Sequence, residues 1–140
     1  MGRTNATDHL SSVSLFAGCS KKELAAIQKA SYRLDLADGA TLTKEGQSSR
    51  EAFVVLDGKA VVKRGNRKVG VLGPGDAVGE LGLLDRGPRT ATVVAEGPLE
   101  VLVIGAREFA ALLDQVPAIS RKMMVALSGR IRELDAKAYG

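Results

Sequence analysis

The stretch VGELGLLDRGPRTATV, residues Val78 to Val93, decides how this fold is read. Its first half does not alternate as a strand does. Gly79 to Leu84 carries leucines spaced for a single helical turn, with glycine at 79 and 82. A short helix that interrupts a β structure leaves its first backbone amides without strand partners, so they face something else. Pro88 then biases Gly87 away from helix, and the chain re-enters a sheet at Arg89.

Outward from that stretch, Tyr32 to Ile104 consists of short segments rich in Val, Leu and Thr, punctuated by glycine or proline at Asp38-Gly39, Glu45-Gly46, Asp57-Gly58, Gly65-Asn66, Gly73-Pro74-Gly75 and Gly97-Pro98. That rhythm predicts many turns between short strands, hence an antiparallel barrel or jelly roll. Strands are expected over 31–36, 40–44, 51–57, 60–64, 67–72, 89–95 and 99–104, with Gly65-Asn66 as a primed turn in a tight hairpin. Helices flank this region. Ser20-Lys21-Lys22-Glu23 has the spacing of a capping box and opens a helix over about 21–30 that buries Leu24 and Ile27. A helix over about 107–114 turns Phe109, Leu112 and Leu113 inward, and Pro117 fits the first turn of a last helix running nearly to the end. Helices segregated from strands argue for an α+β domain. The expected organisation is a single domain over 1–140: a flexible 1–9, a helical lead-in 10–30, a β-barrel 31–105 and a helical tail or lid 106–138.

In the last helix, Met124, Leu127, Ile131, Leu134 and Ala138 repeat at 3-4-3-4 spacing, a narrow apolar seam. The seam must cover something: the chain's own barrel, a pocket as a lid, or the same seam of a second copy.

Composition excludes several function classes. The 140 residues are 45% hydrophobic and 26% charged, enough for one globular core. No run approaches the length of a membrane span, and Met1 to Asp8 lacks the pattern of a signal peptide, so a cytoplasmic protein without membrane contact is expected. The single cysteine, Cys19, permits no disulfide framework and reads as a packing residue; His9, the single histidine, has no acidic or thiol cluster nearby in sequence. No metal, cofactor or catalytic residue is expected. A cupin-type enzyme on a similar jelly roll would need several histidine and carboxylate ligands. The net charge of +4 is modest, and the basic residues do not gather on one helix among aromatics, so nucleic acid is not an expected partner. The densest basic cluster, Lys63, Arg64, Arg67 and Lys68, flanks the hairpin tip and reads as a solvated edge that resists strand-to-strand aggregation.

Residues 79–92 suit an anion joined to a sugar. A helical turn offers backbone amides, and Gly79 and Gly82 let a ligand approach the main chain. Arg89 supplies a fork of donors for two phosphate oxygens, and Thr90 adds a hydroxyl. Glu80 beside a phosphate is repulsive unless it accepts from a sugar hydroxyl or holds Arg89.

With those residues in hand, Val78 to Val93 resembles the phosphate-binding cassette of the cyclic nucleotide-binding domain family, which includes catabolite activator-type regulators, cyclic-nucleotide-dependent kinases and gated channels. The likeness extends to Glu45-Gly46, Gly58, Gly73 and Gly75-Asp76, Phe109 and Pro117, and covers about residues 10–135. It implies a regulatory module in signal transduction whose ligand is cyclic AMP, with cyclic GMP the lesser candidate. It implies that Gly79 and Glu80 bind the ribose and that Arg89, Thr90, Gly82 and Leu81 bind the phosphate. The base would lie against Val62, Val69 and Val78, with the last helix and Leu134 as lid. Thr90 suits either ligand, since its hydroxyl can serve the phosphate or a guanine amino group. Two departures stand out. Leu134 and Asp135 occupy positions where catabolite activators would place hydroxyls near the base, and the chain carries no DNA-reading element before Gly140, as in a freestanding sensor or a piece of something longer. The competing reading is a ligand-free interaction module that dimerises through Met124, Leu127, Ile131 and Leu134.

Overall fold

The computed structural model describes residues 6–48, 51–80, 82–85 and 88–139. Two 14-residue strands organise the sheet: β3 (Glu51–Arg64) and β6 (Thr92–Gly105) pair antiparallel along most of their length. Each divides its other edge between two partners. The far half of β6 pairs β1 (Tyr32–Leu36) and its near half pairs β2 (Thr41–Thr43). The start of β3 pairs β5 (Ala77–Val78) and its end pairs β4 (Arg67–Leu72). All pairs are antiparallel, as a jelly roll requires.

The expected breaks at Asp57-Gly58 and Gly97-Pro98 are therefore not turns. Strands expected over 51–57 and 60–64 are one strand, as are those expected over 89–95 and 99–104. Gly58 has a φ of 96°, and a β carbon there would meet the Pro98 carbonyl at 2.4 Å. Register shifts on both sides of Asp57 mark a bulge, so the two long strands bend together without separating. The strand also begins at Thr92, not at Arg89, and the short β5 was not expected at all.

Strand β3 is buried on both faces in its first half, which is why Ala52 to Leu56 reads as a continuous apolar run. Phe53 and Val55 join Val101 and Val103 of β6 inside the roll. Ala52, Val54 and Leu56 join Leu102 and Ile104 beneath the helical layer. That layer holds α1 (Ala6–Leu10), a 3-10 turn (Ser14–Phe16), α2 (Lys21–Lys29), α4 (Ala106–Gln115) and the start of α5 (Pro117–Tyr139), with the Phe16 and Phe109 rings in tilted contact, centroids 5.9 Å apart. The described part of the segment expected to be flexible is helical: α1 ends in the fully buried Leu10, an anchor whose burial outweighs the fraying of a chain end. Cys19 packs against this core, and burial, followed by the nearby Glu23, pushes its thiol above the usual range, as suits a packing residue.

The capping box forms as expected: Ser20 Oγ accepts from Glu23 N–H at 3.2 Å and Glu23 Oε1 accepts from Ser20 N–H at 2.8 Å. The same carboxylate takes the ammonium of Lys122, tying α5 to α2. Ile119 and Met123 are buried, but beyond them α5 runs largely exposed: Met124, Ile131 and Leu134 are 60%, 66% and 65% exposed, while Leu127 leans on the core. In this structure the outer seam does not pack on the chain's own barrel.

Candidate functional site

The loop between β2 and β3 and the segment before β6 are clipped together by main-chain bonds. Gly46 N–H donates to Arg89 O and Arg89 N–H donates to Gln47 O, each at 2.9 Å, with a bridge between Ser48 and Pro88 alongside. Gly46 takes a φ of 85° to make that turn. Arg89 is thus not a strand residue, as first expected, but its backbone is held as firmly as one.

Its side chain crosses to the turn after β5. A β carbon on Gly79, whose φ is 73°, would fall 1.4 Å from Arg89 Nη1, so the guanidinium rests directly against the Gly79 main chain. Arg89 Nη2 donates to the Glu51 carbonyl, and the guanidinium carbon stands 5.9 Å from the Phe53 ring centre. Nη1 is buried and has no hydrogen-bond partner among the described residues. Burial depresses the affinity of this guanidinium for its proton, while the carboxylates of Glu51 and Glu80 act to retain it; an arginine so placed stays charged. A buried cationic N–H without an acceptor is costly, and an arriving anion relieves that cost.

Arg89 also lines a cavity of about 530 Å³ whose other walls are Thr41 to Lys44, Gln47, Ser48, Glu51 and Phe53. That size lies within the usual range of small-ligand pockets. Hydroxyl and amide groups give it a polar rim, and Phe53 with Leu42 give it an apolar floor. Both of these belong to the inner core cluster, against which Val62 and Val78 also pack.

The structure therefore brings Gly79, Glu80 and Arg89 together, while Val62 and Val78 pack against the core cluster that holds Phe53 and do not themselves line the cavity. Thr90 is exposed next to Arg89, and Gly82 opens the four-residue α3 (Gly82–Asp85). Leu81 lies outside the described residues. Val69 is 49% exposed on β4 and Leu134 is exposed on α5, and neither is brought to the cavity. The β2–β3 side of the pocket was not singled out from the sequence beyond Glu45-Gly46. Its polar residues carry no spacing of their own, and only the alternation that turns Phe53 inward could have marked one wall.

A jelly roll under a helical layer, with a cavity walled by a glycine-seated arginine, defines a class of domain whose site suits a small anion. Comparison with known proteins makes this specific. The family profile described as "Cyclic nucleotide-binding domain" matches residues 33–116, more than half of the chain. The chain belongs to the cyclic nucleotide-binding domain family. Among curated relatives, the cyclic AMP receptor protein of Thermus thermophilus is 29% identical over 126 residues, covering 86% of this chain and 58% of that protein. The cAMP-dependent protein kinase regulatory subunit of Mycosarcoma maydis is 34% identical over 119 residues, covering 79% of this chain and 23% of that protein. The crystal structure of the N-terminal domain of a transcriptional regulator from Streptomyces coelicolor superposes with a TM-score of 0.84 at 29% identity, covering 91% of this chain and 92% of that one. The chain thus spans 58% and 23% of the two curated relatives' lengths. By name, the first is a receptor for cyclic AMP and the second a regulatory subunit of a cAMP-dependent kinase. Among the described residues no helix is long and apolar enough to cross a membrane.

Proposed function

We propose that this chain is a regulatory module that binds a cyclic nucleoside monophosphate, cyclic AMP in preference to cyclic GMP, in the cavity beside Arg89, and that it acts by binding in the cytoplasm without catalysis. One observation supports the reading: a guanidinium seated on the Gly79 backbone at the cavity wall, with a buried N–H that no group among the described residues accepts. A cyclic phosphate supplies the acceptor. Glu80 then serves the ribose hydroxyl, Gly79 and Gly82 offer main-chain groups, and Thr90 adds a hydroxyl. The names of the two relatives favour cyclic AMP.

The signal leaves through the helical layer. Leu83 of α3 is buried in the same cluster as Phe109 and Leu112 of α4, so a turn drawn toward ligand at Gly79 is felt where α4 leads into α5. Ligand shifts that equilibrium only by its different affinity for the two arrangements. The exposed seam of Met124, Ile131 and Leu134, with Leu127 at its edge, supports a homodimer through α5. The downstream effector is whatever reads that helix.

Calorimetry with cyclic AMP and cyclic GMP, side by side on wild type and Arg89→Ala, tests the assignment. Loss of a charge-assisted contact of about 1.5–3 kcal/mol weakens binding by about tenfold to a hundredfold. Arg89→Lys also weakens it, because an ammonium cannot reproduce the fork. Equal affinity in wild type and Arg89→Ala refutes the assignment.

A further inference from the structure

Two neighbouring pieces of the sheet that share no ladder are joined by one carboxylate. The hairpin of β3 and β4 turns at Gly65-Asn66, where Gly65 has a φ of 59°. Its last pair, Arg64 with Arg67, leaves the Gly65 amide outside the ladder. Glu45 Oε1 accepts from that amide at 2.9 Å, while the Glu45 N–H donates to Thr92 Oγ1 at 3.0 Å. Glu45 is pinned at both ends, and the next two residues form the clip that holds the Arg89 backbone. Lys44 and Gln47, on either side of Glu45-Gly46, line the cavity.

The hairpin has reason to swing out. Lys63 faces Lys68 and Arg64 faces Arg67, all exposed, and like charges directly opposed destabilise a pair. β4 lies at the edge of the sheet, and its ladder with β3 is irregular between Val62 and Lys63. Such an end opens more readily than the centre of a sheet. The hydrogen bond that Glu45 accepts at the tip holds the hairpin against that repulsion and ties it to the cavity loop.

We infer that Glu45 is a positioning residue for nucleotide binding, its carboxylate holding the β3–β4 hairpin onto the loop that fixes Arg89 and lines the cavity. The inference rests on the proposed reading of that cavity as the nucleotide site. Val62, on the inner strand of the hairpin, packs in the same cluster as Phe53 and Leu42, so an open hairpin thins the wall behind a bound base. Glu45 itself touches neither phosphate nor base in this scheme; it acts through the hairpin.

Glu45→Ala and Glu45→Gln are compared with wild type in two measurements: amide exchange across residues 63–69 without ligand, and association and dissociation rates of cyclic AMP by stopped flow. Glutamine keeps an acceptor for the Gly65 amide and gives up only the charge. In Glu45→Ala, tip exchange rises by about tenfold and dissociation speeds by about three- to tenfold, with association little changed. Glu45→Gln restores most of both. Glu45→Ser, too short to reach Gly65, takes the place of alanine if that variant does not fold. Unchanged exchange in the short-chain variant removes the tie, and faster exchange with unchanged dissociation removes the positioning role. Glutamine as impaired as alanine also overturns the inference, because charge would then matter and the amide bond would not. Wild type that protects its tip amides yet binds neither cyclic nucleotide overturns the reading of the cavity and this inference with it, an outcome distinct from the other three.

Discussion

Replacing Gly79 by alanine probes the seat of the arginine directly. The residue sits at a φ of 73°, in the left-handed region that L side chains enter at about 1–2 kcal/mol. Its new β carbon would also fall 1.4 Å from Arg89 Nη1 and 2.7 Å from Cζ, so the guanidinium cannot stay where it is. Because the clash is with the far end of a long side chain, the arginine moves and the backbone does not. Two separable losses result. Backbone strain of about 1–2 kcal/mol lowers the melting temperature by about 3–10 °C for a chain of this size. Displacing the guanidinium weakens cyclic AMP binding by about tenfold to a hundredfold, the same range as deleting it. Since one contact is lost by either route, Gly79→Ala with Arg89→Ala binds about as weakly as each single variant, far from the product of the two effects. Calorimetry for affinity and thermal melts for stability read these terms apart. A Gly79→Ala chain that keeps wild-type affinity shows that the arginine's seat on residue 79 is irrelevant to binding and refutes the reasoning.

Two further outcomes follow from the helical layer. Ile131→Glu places a charge in the exposed seam of α5 and converts a dimer to monomer, with the roll still folded; sedimentation at several concentrations reads this, and a wild type that is monomeric throughout removes the dimer proposal. Lys122→Ala alters acid stability through Glu23, whose carboxyl is held below its ordinary value of 4.5, chiefly by the bond from Lys122 and then by the Ser20 amide. A lowered folded value means that the stabilisation is fully present above about pH 4.5 and fades as pH falls through the folded value. The gap in melting temperature between wild type and Lys122→Ala is therefore open at pH 6 and closes toward pH 3. A gap that stays constant across that range shows that the pair does not act through this titration.

Much of the architecture was legible because it is written in local chemistry. The capping box at Ser20 and Glu23 names a helix start by side-chain reach alone. Pro117 at a first helical turn and the tight hairpin at Gly65-Asn66 are equally local, and the structure has both where the residues place them. Asp57-Gly58 and Gly97-Pro98 misled for a definite reason. A glycine that permits a turn also permits a bulge, and only the close approach of Gly58 to the Pro98 carbonyl, residues distant in sequence, distinguishes the two.

The site divides along the same line. Residues 78–93 by themselves determined that an arginine, an acid and close-approach glycines share one short segment, because backbone permissiveness and donor geometry belong to residue types. The tertiary structure alone decided that Arg89 rests on Gly79 with one N–H unpaired among the described residues, that Phe53 and the β2–β3 loop supply the other walls, and that Val69 and Leu134 lie away from the cavity. Those facts depend on long-range strand register and on which face of a helix finds a partner, and such pairings are set by packing between segments that no local pattern connects.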